Sequence, residues 1–346
     1  MKKKFLTIGF YAATFATLIL SSCTKDGVNI APVTPPVITP VSGGNSGPLQ
    51  LYALDSARVI KMTQTGANPT IVLNKQVNNN SYIGDFSLSS DGTKCAYVED
   101  QAGGIVPNFV KTVKLRTSKT DGTGDTELFS VLNANSGSYI SAVRYCSDGK
   151  IFFVYIEYTA SGNAFVISYK TINADGTGLT TSQPFGGFID DITNDRRFSI
   201  STLASPPTPG NPTLYRVQIL DKTMDNGAGG LYTGETLPVS ITAVGRGSFT
   251  ADGKFAIIPY REANDIKIKI FDMATKVATV KTVLTGLTTP NVDFDLQIAS
   301  DGVRAVLTTG SLGLPKTRSY IFNAVSGVVS APFDNVNNAV FSVYAY

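Results

Sequence analysis

The sequence predicts an all-β fold: a six-bladed β-propeller of four-stranded blades, closed by a C-terminal strand that joins the N-terminal blade. Three observations carry that prediction. A short Ser/Ala-Asp-Gly signature recurs along most of the chain. Each interval between copies holds four short strand-like runs. The two ends of the chain supply complementary fragments of one further unit.

The signature appears as "FSLSSDGTKCAY" from Phe86, "YCSDGKIFFVY" from Tyr145, "FTADGKFAIIPY" from Phe249 and "IASDGVRAVLTT" from Ile298. Its acid and glycine are Asp91 and Gly92, Asp148 and Gly149, Asp252 and Gly253, and Asp301 and Gly302. A degenerate copy in "FIDDITNDRRFSI" puts Asp195-Arg196 at the same place. The five acids are then separated by 57, 47, 57 and 49 residues, one blade each. An Asp side chain caps its own turn and glycine accepts a left-handed backbone, which suits a tight link between two strands. Metal ligands would not be expected to recur once per blade around a ring, so these are read as structural turns.

Each unit follows one plan of alternating or apolar runs bounded by turn residues. The second unit reads "YIGDFSLSSDG", "TKCAYVED", "TVKLRTSKTDG" and "DTELFSVL". The third reads "ISAVRYCSDG", "KIFFVYIEY", "FVISYKTINADG" and "LTTSQPF". The fourth reads "FIDDITND", "RRFSISTL", "TLYRVQILD" and "GGLYTGETL". The fifth reads "AVGRGSFTADG", "KFAIIPYRE", "DIKIKIFDMAT" and "ATVKTVL". The sixth reads "VDFDLQIASDG", "VRAVLTTG", "TRSYIFNAVSG" and "GVVSAPF". Residues 50–74 supply second, third and fourth strands without a first, and "NNAVFSVYAY" at the C-terminus supplies a first strand alone. Together they make the remaining blade and hide its edges. Six is the count; five or seven are the alternatives if a degenerate unit is misassigned.

The repeated pattern S-x-D-G-(K/T)-x-x-A-(Y/F), followed by a strand ending in Asp and Gly, resembles the WD40-like (PD40-type) repeat of TolB-like six-bladed propellers. The resemblance covers nearly all of residues 50–346. The repeats depart from the family in carrying Ser90, Ser147, Ala251 and Ser300 where it has proline. They carry Leu88, Tyr145, Phe249 and Ile298 where it has tryptophan. The fold analogy implies a protein-interaction role.

Residues 1–22 read as a signal peptide: Lys2, Lys3 and Lys4, an apolar run from Phe5 to Leu20, then small residues. That run falls short of the roughly 20 residues a membrane-spanning helix needs. Leu20-Ser21-Ser22-Cys23 looks like a bacterial lipobox, in which Cys23 is lipidated and becomes the mature N-terminus. Lys25-Asp26 resembles the charged export signal of Bacteroidetes surface lipoproteins. The expected location is therefore the outer membrane, facing the periplasm or the cell surface. Residues 23–48 are a Pro/Gly/Ser-rich tether reaching on the order of 75 Å at about 3.1 Å per residue. Residues 49–346 form the propeller.

Composition narrows the chemistry. The 346 residues are 42% hydrophobic and 16% charged, with no histidine and no tryptophan. Without histidine there is no Ser-His-Asp or Cys-His nucleophile, and the usual catalytic zinc sites are excluded. Removing the three leader lysines leaves basic residues equal in number to the 26 acidic ones. A neutral mature chain has no electrostatic footprint for nucleic acid.

Candidate ligand residues lie on the innermost strands. Counting back four, six and eight from each turn acid gives Ser87 and Asp85, Arg144 and Ala142, Asp191 and Ile189, Ser248 and Arg246, then Gln297, Asp295 and Asp293. Strict alternation puts Asp85, Arg144, Asp191, Arg246, Asp293 and Asp295 on the channel side. These charges serve a water-filled channel, or else hold a small ligand or a cation such as calcium; no compact metal loop, cofactor motif or catalytic set is present. Cys95 and Cys146 are expected as two buried free thiols. The proline-rich excursion Leu203 to Thr213 is expected as a surface loop. The functional expectation is a lipid-anchored, non-enzymatic binding or scaffold protein for another envelope protein or an extracellular polysaccharide. The alternative is a carboxylate-dependent glycan lyase or hydrolase working in the funnel.

Overall fold

A computed structural model describes residues 47–75, 81–103, 110–134, 137–159, 164–182, 187–205, 213–224, 229–287, 292–299, 301–311, 318–324, 329, 333–334 and 342–346. The leader, Cys23 and most of the tether lie outside the described residues, as do 206–212 of the proline-rich excursion.

The described residues form strands and turns only, in six antiparallel sheets arranged as a β-propeller. Blade 1 holds β1 (Gln50–Asp55), β2 (Arg58–Thr63) and β3 (Thr70–Asn74). Blade 2 holds β4 (Ser81–Leu88), β5 (Lys94–Gly103), β6 (Val110–Lys119) and β7 (Thr126–Ala134). Blade 3 holds β8 (Tyr139–Tyr145), β9 (Lys150–Tyr158), β10 (Phe165–Asn173) and β11 (Thr180–Ser182). Blade 4 holds β12 (Asp191–Ile192), β13 (Phe198–Ser205), β14 (Leu214–Asp221) and β15 (Gly230–Thr236). Blade 5 holds β16 (Ile241–Val244), β17 (Ser248–Phe249), β18 (Phe255–Glu262), β19 (Asp265–Asp272) and β20 (Ala278–Leu284). Blade 6 holds β21 (Val292–Ile298), β22 (Arg304–Ser311), β23 (Arg318–Asn323) and β24 (Phe333–Asp334).

The final strand, β25 (Ser342–Ala345), closes the ring. It pairs antiparallel with β1, setting Leu51 against Ala345 and Leu54 against Ser342. Backbone hydrogen bonds between Gln50 and Tyr346 extend the ladder one residue further. Blade 1 is thus built from both ends of the folded region, as its fragments predicted.

Packing follows the blade order. The six apolar clusters of the described residues each join two neighbouring blades. Val98 and Leu115 of blade 2 meet Ile140 and Phe153 of blade 3, for example, and Ala299 and Val306 of blade 6 meet Leu51 and Val343 of blade 1. Each buried Leu, Ile or Phe contributes roughly 1.5–3 kcal/mol relative to exposure. The second strands, covered on both faces, are the most buried: β9 buries every residue from Ile151 to Ile156.

The Asp-Gly turns are caps. Asp91 accepts from the Thr93 amide at 3.0 Å and from the Ser89 hydroxyl at 2.6 Å, while Gly92 sits at φ +66°. Asp252 takes the Lys254 amide at 3.1 Å and the Thr250 hydroxyl at 2.8 Å, and Asp301 takes the Val303 amide at 3.0 Å. In the degenerate copy Arg196 occupies the glycine position at φ +61°. It reaches back to Asp148 of the preceding blade through two hydrogen bonds of 2.8 Å, an ion pair that offsets the strain.

The innermost strands are less regular than alternation assumes. Pairing shifts register between Ile83 and Phe86 in β4 and between Ser141 and Arg144 in β8, where Ala142 adopts φ +50°. Blade 5 breaks its first strand into β16 and β17 at Gly245-Arg246-Gly247. Opposite the break is Pro259 of β18, which has no amide to give a ladder; its carbonyl accepts from the Gly245 amide at 2.9 Å. A side chain on Gly245 would meet Phe294 and Pro259 at 2.9 Å, and one on Gly247 would meet Ile200 at 2.7 Å.

Candidate functional site

The innermost strands enclose a polar cavity of about 100 Å³ on the ring axis. Its charged lining is Asp85, Arg144, Asp190, Asp191 and Arg246, with Asn194, Gln297 and Tyr344 among the neutral groups.

The acids are latches between blades. Asp85, 5% exposed, accepts from the Phe86 amide at 2.9 Å and from the Val143 amide of blade 3 at 3.1 Å. The Tyr344 hydroxyl of the closing strand also donates to it, at 3.3 Å. Ser87 continues the seam, its hydroxyl accepting the Tyr145 amide at 2.9 Å. Between blades 4 and 5 the same work falls to two neighbours. Asp191 accepts the Phe249 amide at 2.9 Å, while Asp190 accepts the Gly247 amide at 3.1 Å and the Thr202 amide at 2.8 Å. Relative to the turn acid, Asp191 matches Ser87. Asp190 takes the role of Asp85 because this inner strand lacks the bulge found in β4. An acceptor aimed at each inter-blade amide is what burial of those amides demands.

Each arginine faces an acid of another blade. The Arg144 Nη2 lies 3.4 Å from Asp191 and 3.4 Å from the Phe249 carbonyl. The Arg246 Nη2 lies 3.6 Å from Asp85 and donates to the Asp190 carbonyl at 3.0 Å. Although surrounded by protein, Arg246 keeps 40% of its side chain open to the channel. Burial raises the carboxyls of Asp190 and Asp191 above their ordinary values, and the nearby arginines and amides pull the other way. Burial also opposes charge on Arg246, but Asp85, Asp295 and Asp190 outweigh it and hold the guanidinium above its usual range. The Tyr344 phenol is pushed well above 10 by burial, with Asp85 and Asp295 adding to the shift.

The sequence-selected residues divide. Asp85, Arg144, Asp191 and Arg246 line the cavity together. Asp295 lies beside it, accepting from Gln297 Nε2 at 3.1 Å and from the Ser342 hydroxyl of β25. Asp293, on β21 opposite Gly310, is not part of the lining. Asp190 and Tyr344 escaped the offset count. The double acid "DD" was visible in the sequence, but the offset count reached only Asp191, whereas both members accept amides of blade 5. Among the described residues no three acidic or thiol side chains converge as metal ligands would. Cys95 and Cys146 are both buried and unbridged; burial raises the Cys95 thiol to about 11 and lifts Cys146 as well.

No protein-family model matches the sequence, and no curated protein matches it. Solved structures do resemble it. TolB from Acinetobacter baumannii superposes with a TM-score of 0.57 at 16% identity, covering 87% of this chain and 66% of that one. A chain in a nidogen/laminin complex gives 0.54 at 10% identity, covering 86% and 98%. A putative TolB from Agrobacterium tumefaciens gives 0.46 at 11% identity, covering 86% and 97%. Likeness at such identities speaks to fold. The structure is a six-bladed β-propeller, as the repeats implied, and TolB is among the solved propellers whose fold it resembles.

Proposed function

We propose that the chain is a lipid-anchored cell-envelope propeller, held at the outer membrane through Cys23, that binds another envelope protein or an extracellular polymer without catalysing a reaction. The observation that carries the binding half is the state of the channel acids. Asp85 and Asp191 are each occupied by an inter-blade amide and an arginine. A glycosidase or lyase needs one carboxyl able to hold a proton and a second able to attack or to activate water. Acids committed to holding blades together suit a scaffold better than a catalytic pair. The occurrence of a similar chain in a nidogen/laminin complex, and the likeness to TolB, support a role for the propeller as a recognition platform. The anchoring half rests on the leader and its Leu20-Ser21-Ser22-Cys23 motif.

The test has two arms. Metabolic labelling with an alkyne fatty acid should mark the wild-type chain and leave Cys23→Ala unlabelled and absent from sedimented membranes. Crosslinking in native membranes, followed by affinity purification, should recover a stoichiometric partner or polymer. Equal labelling of both chains sinks the anchor; repeated recovery of the propeller alone sinks the binding role.

A further inference from the structure

We infer that the axial cavity is a binding site for a carboxylate group, held by donors of Arg144 and Arg246. The inference starts from the two guanidinium groups. Each has five N–H donors in a planar fork suited to two parallel bonds to one carboxylate. Among the described residues Arg144 makes its contacts through Nη2 alone, and both are long at 3.4 Å. Its Nε is buried and has no hydrogen-bond partner there. Arg246 likewise makes its contacts through Nη2, while 40% of the side chain opens on the channel. Two guanidinium groups thus line one small cavity, each engaged through Nη2, with the exposed part of each turned to the channel.

The acceptors in the same cavity are in the opposite condition. Asp85 takes two amides, the Tyr344 hydroxyl and Arg246; Asp190 takes the Gly247 and Thr202 amides and the Thr202 hydroxyl; Asp191 takes the Phe249 amide and Arg144. An incoming cation would find oxygens already engaged by amides, hydroxyls and guanidinium groups. An incoming carboxylate finds donors and displaces no inter-blade amide. The Ser248 hydroxyl lines the same space and can donate to its second oxygen. A cavity of about 100 Å³ has room for a carboxylate group, and a larger ligand can enter acid-first with its body in the mouth. Acidic sugars and the free C-terminus of a peptide both present such a group.

The cavity site stands whether or not the propeller binds an envelope partner. Titration calorimetry and thermal unfolding of the full chain, purified in detergent, are run with sodium acetate, D-glucuronate and N-acetylglycine. D-Glucose and N-acetylglycinamide serve as uncharged controls. At least one acid should bind and raise the unfolding temperature by mass action, and neither neutral control should. A response to glucuronate alone assigns a sugar source, and a response to N-acetylglycine alone assigns a peptide source. Arg144→Lys, which keeps the charge near Asp191 but loses the fork, should weaken binding about tenfold. Arg246→Gln should weaken it by at least as much, and the unfolding of each variant without ligand reports whether its fold survives. The proposal is overturned if none of the three acids binds the folded wild type, or if both folded variants bind as tightly as wild type. Negative titrations with intact partner capture remove this site alone; positive titrations with no captured partner remove the scaffold reading alone.

Discussion

Replacing Gly92 by alanine separates the two jobs of the Asp-Gly turn. Gly92 holds φ +66°, a backbone that costs an L-residue about 1–2 kcal/mol. A Cβ there would also lie 2.5 Å from three carbons of the Tyr346 ring, which rests on the turn at the end of the closing strand. The ring must move, giving up contacts with the apolar cluster between blades 1 and 2, a further ~1–2 kcal/mol for a half-buried aromatic. Gly149 in the next blade is the internal control. It has φ +77° and nothing within 4 Å of an added Cβ, so alanine there carries the backbone cost alone. Gly92→Ala is therefore expected to lose about 2–4 kcal/mol and Gly149→Ala about 1–2 kcal/mol. The assay is urea unfolding followed by circular dichroism, with Tyr346→Ala as a second background. Without the ring, Gly92→Ala should fall to the cost seen at Gly149. Equal losses for the two glycines in wild type, or an unchanged Gly92 loss in Tyr346→Ala, would refute the reasoning.

Three other outcomes follow from the same geometry. Asp85→Ala strips an acceptor from the Phe86 and Val143 amides and leaves Arg246 less compensated, so it should cost about 3 kcal/mol. Asp85→Asn, which keeps one oxygen, should cost about 1 kcal/mol, and reversal of that order in denaturant unfolding counts against the latch. Asp125 accepts from the Tyr97 hydroxyl at 2.6 Å and pairs with Arg116 at 3.0 Å and with Lys75. Against the desolvation that works to raise it, these partners hold its carboxyl down at about 2. A folded value below the unfolded one means the stabilisation is complete above about pH 4 and drains away as pH falls towards 2, roughly 1 kcal/mol after solvent screening. Asp125→Asn should flatten that slope in acid-unfolding curves, and an unaltered slope would show the network contributes nothing. Cys95 and Cys146, buried with raised pKa values, should resist a disulfide reagent at pH 8 until denaturant is added; rapid native reaction of both would contradict their placement.

The ring was legible because it is built from repeated local chemistry. An Asp whose carboxylate caps the amide two residues on, next to a left-handed glycine, gives the same signal wherever it occurs, and four intact copies set the blade length. The degenerate copy stayed readable because Arg196 replaces only the glycine; what the sequence did not show is that its guanidinium spans to Asp148 of the neighbouring blade. The cavity was half legible. Polar residues upstream of each turn pointed to the channel, but strict two-residue alternation failed at the bulges of β4 and β8 and at the break opposite Pro259. Those irregularities decide that Asp190 serves beside Asp191 and that Arg246 projects from between two glycines. The proline offered a warning, since a second strand flanked on both sides has no place for a residue without an amide unless its neighbour is interrupted.

Tyr344 and Ser342 show why the site could not be assembled from repeats alone. Both belong to the closing strand, which sits in blade 1 because the chain ends pair there, yet their hydroxyls serve Asp85 of blade 2 and Asp295 of blade 6. Ring closure and completion of the channel's polar network are therefore one event. Without β25, Asp85 keeps its amides but loses the phenol that caps it, and Asp295 loses a donor beside Arg246. Arg246 would then face acids with unmet demand and turn towards them. Closure by β25 satisfies those acids from another quarter and leaves the Arg246 guanidinium presented to the cavity, so the strand that completes the fold also fixes part of the charge available to a ligand.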